Sequence, residues 1–231
     1  MKKFLFVALI FMMAFTVVYA QEAGQFTVGA RGGIGIGFND FSSEYKKLLP
    51  DDWNDHITLE SLLHPVGAVY GYYTFAPNMA VQLEANIMIN QGLKVIMDKT
   101  MSWDMFGYAL EYTMEYSYMS IDIPVMFRYT FLNAPVSVGL AAGVNLSLPI
   151  SKLNVATSVA GLSIPVAEIE MEGIGFGAVA GIFVGYPLGP GRIIGDVRFL
   201  LDFVHPKVKG DDDPMMNRRA LNISVGYEMS F

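Results

Sequence analysis

The chain has 231 residues, 53% of them hydrophobic and only 16% charged, with 23 glycines and no cysteine. Its 22 acidic side chains outnumber 15 basic ones, a formal charge of −7, which argues against a nucleic-acid partner, whose phosphates need a basic surface. The lack of cysteine excludes disulfides as a source of stability and thiol chemistry as a function.

Residues 1–20 read as an export signal. Met1-Lys2-Lys3 is a short basic start, Phe4 to Val18 is uncharged and apolar, and Val18-Tyr19-Ala20 offers a cleavage site before Gln21. Losing Lys2 and Lys3 with the leader takes the formal charge from −7 to −9. Residues 21–231 then form one domain.

A first strand, Phe26 to Phe38, places Arg31 among glycines. Its segment Val28 to Gly35 also matches a GxxxGxG nucleotide loop, but that chemistry needs a helix at once and a Tyr followed four residues later by Lys. None of the twelve tyrosines has that spacing, and Asn39-Asp40 opens a loop. Asn39 to His64 reads as a long polar excursion. The second strand, Pro65 to Thr74, carries aromatics or valine on both faces. The third sets Val81, Leu83, Ala85, Ile87 and Ile89 against Gln82, Glu84, Asn86, Met88 and Asn90. A second excursion, about Gln91 to Glu115, leads to a fourth strand with Ile121, Ile123, Val125 and Phe127 opposite Asp122, Pro124, Met126 and Arg128. The fifth runs from Val136 to Leu148 and is followed by the excursion Ser151 to Glu172.

Gly173 to Gly191 is uncharged and has GxxxG spacing at Gly177, Gly181 and Gly185, as a packed transmembrane helix would. It also alternates with period two, and its five interior glycines would each cost a helix about 1 kcal/mol. A sixth strand is expected. The seventh, Ile193 to Phe203, has Asp196, Arg198 and Asp202 on one face, and the excursion His205 to Arg219 precedes the last strand. There Leu221, Ile223, Val225, Tyr227, Met229 and Phe231 oppose Asn222, Ser224, Gly226, Glu228 and Ser230.

Successive strand side chains point to opposite faces, so each strand has a long apolar side and a small polar side bearing charge. A soluble core cannot be filled by such a polar set without burying unpaired charge. Turned inside out, the strands fit lipid outside and a polar lumen within, and a bilayer demands that the sheet close on itself. The expectation is an all-β, transmembrane antiparallel up-and-down β-barrel in the outer membrane, with eight strands and both termini periplasmic. Short turns at Phe75 to Asn78, Leu132 to Pro135 and Pro187 to Gly191 alternate with the long excursions, as that topology requires. Ten strands remain open if Lys94–Met97 and Ala109–Met114, or Leu153–Ala156 and Val166–Glu170, form hairpins.

Tyr118-Met119-Ser120-Ile121-Asp122-Ile123-Pro124-Val125-Met126-Phe127-Arg128-Tyr129, with its Ile-Pro step and aromatic-basic-aromatic run, resembles the broad bacterial outer-membrane β-barrel domain family labelled porin-like or PorT-like. The final Phe231, with Tyr227 on the same face, resembles that family's C-terminal assembly signal. The resemblance spans residues 24–231 as pattern. It implies outer-membrane lipid and the assembly machinery as partners, and no particular substrate.

The lumen is expected to hold Arg31, Glu84, Asp122, Arg128, Asp196, Arg198, Asp202 and Glu228, three positive against five negative, paired across a filled interior. His56, His64 and His205 lie in or beside external loops without ligand spacing, and Asp211-Asp212-Asp213 lacks the glycine and distal Glu of a calcium loop. No metal, cofactor or catalytic set is expected, although His205 with Asp202 and Asp211 is the nearest approach to one. Two functions follow: a plugged surface-interaction barrel whose contact loop 39–64 offers Phe41, Tyr45 and Trp53 to an extracellular ligand, or a narrow OmpW-like conduit for small or hydrophobic solutes.

Overall fold

The computed structural model describes residues 23–42, 57–97, 112–159, 162–211 and 213–231; residues 1–20, Tyr45, Trp53 and His56 lie outside them. The described chain is all strand and turn. In order the strands are β1 (Gln25–Gly37), β2 (Asp40–Phe41), β3 (Ile57–Ala76), β4 (Met79–Met97), β5 (Tyr112–Asn133), β6 (Ser137–Pro149) and β7 (Leu153–Val159). They continue as β8 (Leu162–Ile169), β9 (Met171–Glu172), β10 (Gly175–Leu188), β11 (Gly191–Val204), β12 (Lys207–Val208), β13 (Met216–Asn217) and β14 (Arg219–Ser230).

The pairings run in a ring. β1 lies between β14 and β3, β3 pairs β4, β4 pairs β5 and β5 pairs β6. β6 pairs β10, β10 pairs β11, and β11 returns to β14. All these ladders are antiparallel. Backbone polar groups are therefore satisfied around the circuit, which is what an apolar surrounding requires.

Side-chain direction follows the two-residue period. Along β14, Val225 is 62% exposed while Glu228 is 1% exposed. The same inversion holds on β4, where Leu83 faces out and Glu84 faces in, and on β5, where Phe127 faces out and Arg128 in. On β10, Phe176, Ile182, Val184 and Tyr186 face outward while Gly175, Gly177, Val179, Phe183 and Gly185 are buried. The uncharged stretch is thus a strand, with its glycines on the crowded side.

Three tight connections close one end. The turn between β3 and β4 has Asn78 at φ 65, the turn between β5 and β6 contains a cis Ala134–Pro135 bond, and the turn between β10 and β11 has Gly189 at φ 61. At the other end the expected excursions are shorter than the sequence pattern implied. Residues 57–64 belong to β3 and 91–97 to β4, and Lys94↔Glu115 through Met97↔Tyr112 prolong the β4–β5 ladder. β7 and β8 pair with each other, and β7 is added to the upper part of β5. The ring therefore carries a sheet extension at this rim.

What holds the extension is a second apolar cluster of Phe41, Leu93, Val95, Tyr118, Leu153, Met215 and Met216. Phe41 pairs with Met216 in the two-residue β2–β13 ladder and stacks edge-on against Tyr116 at 6.2 Å. This corrects the expectation that Phe41 is an exposed contact residue: its ring covers the rim.

Candidate functional site

The interior is polar, and its charges lie in three levels. The level nearest the tight turns centres on Glu228 of β14. Its carboxylate accepts hydrogen bonds from Tyr70 Oη at 2.9 Å and Tyr72 Oη at 3.2 Å, and from Arg192 Nε. Arg128 approaches it at 3.7 Å and donates to Gln82 Oε1 at 2.7 Å. The Arg128 guanidinium also lies 4.3 Å from the Tyr72 ring and 4.0 Å from the Phe183 ring, a desolvated cation between two aromatic faces.

Glu84 of β4 organises the middle level. Arg31 binds it through two nitrogens at 3.0 and 2.6 Å, and Arg198 reaches both carboxylate oxygens at 2.7 and 2.8 Å. Asp196 completes the square, 2.9 Å from Arg31 and 3.0 Å from Arg198, and accepts from Ser224 at 2.7 Å. At the third level Asp122 of β5 accepts from Asn145, Ser147 and Ser120 at 2.9, 2.8 and 3.0 Å. Arg218 bridges it to Asp202, which is 3.2 Å away, and donates to Ser147 at 2.6 Å.

Local sequence explains how long side chains fit in so narrow a space. Arg128 is flanked across the ladders by Ala80 and Ala141, and Arg31 by Ala68 and Gly226. Lying over its small neighbours, Arg31 reaches Glu84 and Asp196, each two strands away, and Arg128 reaches across the ring to Glu228. The large and small positions interdigitate as in a packed core. Gly29 serves the same end: a Cβ there would sit 2.5 Å from the Tyr70 ring and hydroxyl.

All eight residues singled out from the sequence, Arg31, Glu84, Asp122, Arg128, Asp196, Arg198, Asp202 and Glu228, are buried in this interior. Two more cations join them. Arg192, one residue before the expected seventh strand, and Arg218, in the expected external loop, bring five guanidiniums to five carboxylates. Their parity was the available signal: Arg192 shares it with Asp196, and Arg218 with Asn222. His64 is a further correction, since it is 1% exposed on the inner face of β3 and not in a loop.

The family profile of the Outer membrane protein beta-barrel domain matches residues 19–203. The chain belongs to that family. The barrel domain is therefore membrane-embedded and resides in the outer membrane. No curated protein matches it. Among solved structures it is similar to Neisserial surface protein A, at 16% identity over 90% of this chain and 99% of the other, with a TM-score of 0.45. It is also similar to OprG from Pseudomonas aeruginosa, at 11% identity over 92% and 98% with a TM-score of 0.46. A third is Ail of Yersinia pestis in complex with the heparin analogue sucrose octasulfate, at 10% identity over 90% and 100% with a TM-score of 0.41.

The remaining candidates of the barrel domain fall at its rim or outer surface. His205 is half-buried just beyond β11, where its Nδ1 accepts from the Arg218 backbone N–H at 3.3 Å. Burial, then the charges of Arg218 and Arg219, lower its pKa below the ordinary histidine value. Asp211 and Asp213 are exposed. Among the described residues no group of three His, Asp or Glu is arranged to hold a metal ion. Tyr227 donates to Leu188 O at 2.9 Å across the end of the barrel, and Phe231 projects outward at 73% exposure.

Proposed function

We propose that this protein is an eight-stranded, plugged outer-membrane barrel that acts through its extracellular surface, without catalysis or conduction. The observation that supports this most directly is the charge balance of the interior, where each of five carboxylates lies within 4 Å of a guanidinium. An open aqueous pore has no need of such pairing, because water solvates its charges. In a filled lumen an unpaired charge is costly, so every one needs a counter-ion.

The eight strands of this reading are β1, β3, β4, β5, β6, β10, β11 and β14. Both termini lie with the tight turns on the periplasmic side, and the β7–β8 hairpin stands on the extracellular side as part of a surface for an external ligand. Residues 1–20 are removed on export, and Tyr227 and Phe231 serve as the recognition end for the assembly machinery. Planar-bilayer recording on folded protein tests the function: a silent membrane is expected. Reproducible channel events of wild-type protein would sink the plugged reading and favour the narrow conduit. Faster gel migration of unheated than of boiled protein is the companion check on the barrel itself.

A further inference from the structure

Of the ten interior charges among the described residues, nine sit on strands of the ring. Arg218 does not. It lies between β13 and β14, on the connection that crosses the rim. Its segment is held by the short β2–β13 ladder, by Ser42 N donating to Met215 O at 2.9 Å, and by Asp202 N donating to Arg218 O at 3.2 Å. Met215 and Met216 cover the rim above while the guanidinium points down between Asp122 and Asp202.

The chamber around that guanidinium is built of acceptors. Besides the two carboxylates it presents the Ser147 hydroxyl, and Met88 Sδ accepts from Arg218 at 3.2 Å. Asp202 Oδ1 faces this level with no hydrogen bond of its own, and buried His64, whose neutral ring accepts at one nitrogen and donates at the other, stands beside Asn222 Oδ1. Two carboxylates, with a hydroxyl and a thioether sulfur beside them, form a cation site, and one arginine fills it.

We propose that the Met215–Arg218 segment is a latch over a binding site for a small organic cation of the guanidinium or primary-ammonium class. Arg218 is the internal occupant, and lifting the segment exchanges it for an external one. The inference rests on the plugged-barrel reading, because the Glu84 level beneath is made by ring strands alone and closes the lumen below the chamber.

The absence of native cysteine allows a direct test. Ser147→Cys is introduced alone and together with Arg218→Ala, the protein is folded into vesicles, and labelling by cationic and anionic methanethiosulfonates of equal size is timed from outside. With Arg218 present labelling is slow. Without it the cationic reagent reacts about tenfold faster or more, as expected of a charge-focusing cleft, and outpaces the anionic reagent. Methylguanidinium at millimolar concentration protects the thiol, whereas equal sodium chloride does not.

Unchanged labelling, equal rates for the two reagents, or absence of methylguanidinium protection each overturns the proposal. Should Arg218→Ala fail to fold, Met216→Ser with Arg218 retained loosens only the apolar cover; faster labelling supports the latch and an unchanged rate rejects it. Neither double variant is expected to conduct. Channel events in wild-type protein would instead reject the plugged reading, so the two failures are distinct.

Discussion

Replacing Glu84 by Gln removes one charge from the middle of the lumen with almost no change of shape. In the native arrangement Glu84 receives two guanidiniums at 2.6 to 3.0 Å, and Asp196 alone offers them a second carboxylate. After Glu84→Gln, two buried cations share one anion, and the new amide turns donors toward donors. Breaking a buried pair from one side costs about 3–5 kcal/mol, and because Asp196 still touches both arginines the lower end, about 3 kcal/mol, is expected. The assay is reversible urea unfolding of the barrel in lipid vesicles, read by tryptophan fluorescence and gel mobility. The double variant Glu84→Gln/Arg198→Met removes the surplus cation and leaves Arg31 with Asp196. It should be more stable than Glu84→Gln alone, with a coupling of about 2 kcal/mol between the two sites. A Glu84→Gln cost below about 1 kcal/mol, the range of exposed pairs, or simple additivity in the double variant, would mean that water screens these charges and that the lumen is not a packed interior.

Three further outcomes follow from the same geometry. Gly29→Val should destabilise the barrel by about 1–3 kcal/mol through overpacking against Tyr70, measured by the same unfolding assay; an unchanged midpoint would show that Tyr70 is free to move. Val125→Arg places a cation on the outward face of β5 and should cost about 2–4 kcal/mol if that position lies near the bilayer midplane, whereas a soluble-barrel exterior would accept it without loss. At the rim, the hydrogen bond and charge of Lys209 hold Glu170 below its ordinary 4.5, and Glu170 holds Lys209 above 10.5. The carboxylate's contribution is therefore fully present above pH 4.5 and lost as pH falls through its lower folded value. The lysine's is present below pH 10.5 and lost as pH rises through its higher one. NMR titration should find Glu170 back at its ordinary value in Lys209→Ala; a native-like low value there would assign the shift to something else.

Much of the ring was legible because one period governed it. Along the ring parts of β4, β5, β11 and β14 every second residue is apolar or glycine, and the intervening ones are mostly small, polar or charged, with Met88, Met126, Ile194 and Leu200 among them. The membrane inverts the usual meaning of that pattern without changing its spacing. The rim was not legible in the same way. Above the lipid belt both faces of a strand can be polar or both apolar, as in Ile57–His64 and Leu162–Ile169, so period-two alternation fades where hydrogen-bonded pairing continues. The β7–β8 hairpin and the upper β4–β5 ladder are held by backbone pairing and by a rim cluster from five separate parts of the chain, including Phe41 and Met216. No local pattern announces contacts between residues so far apart in sequence.

The interior charges make the same point with a sharper consequence. Eight inward charges found by alternation leave a surplus of two carboxylates, and a filled lumen cannot hold that surplus cheaply. Either the lumen is wet, or two more cations enter it. Extending each strand's parity past its expected end resolves the choice: Arg192 lies in phase with Asp196 and Arg198 at the foot of β11, and Arg218 lies in phase with Asn222 and Glu228 above the head of β14. One arrives from the turn side, where it meets Glu228, and the other from the rim, where it meets Asp122 and Asp202. Charge neutrality, applied to a buried space as strictly as hydrogen-bond satisfaction, identifies residues that strand boundaries conceal. The two arginines also differ in anchorage: Arg192 sits in two ladders, while Arg218 lies on a connection tied by single hydrogen bonds to Asp202 and His205.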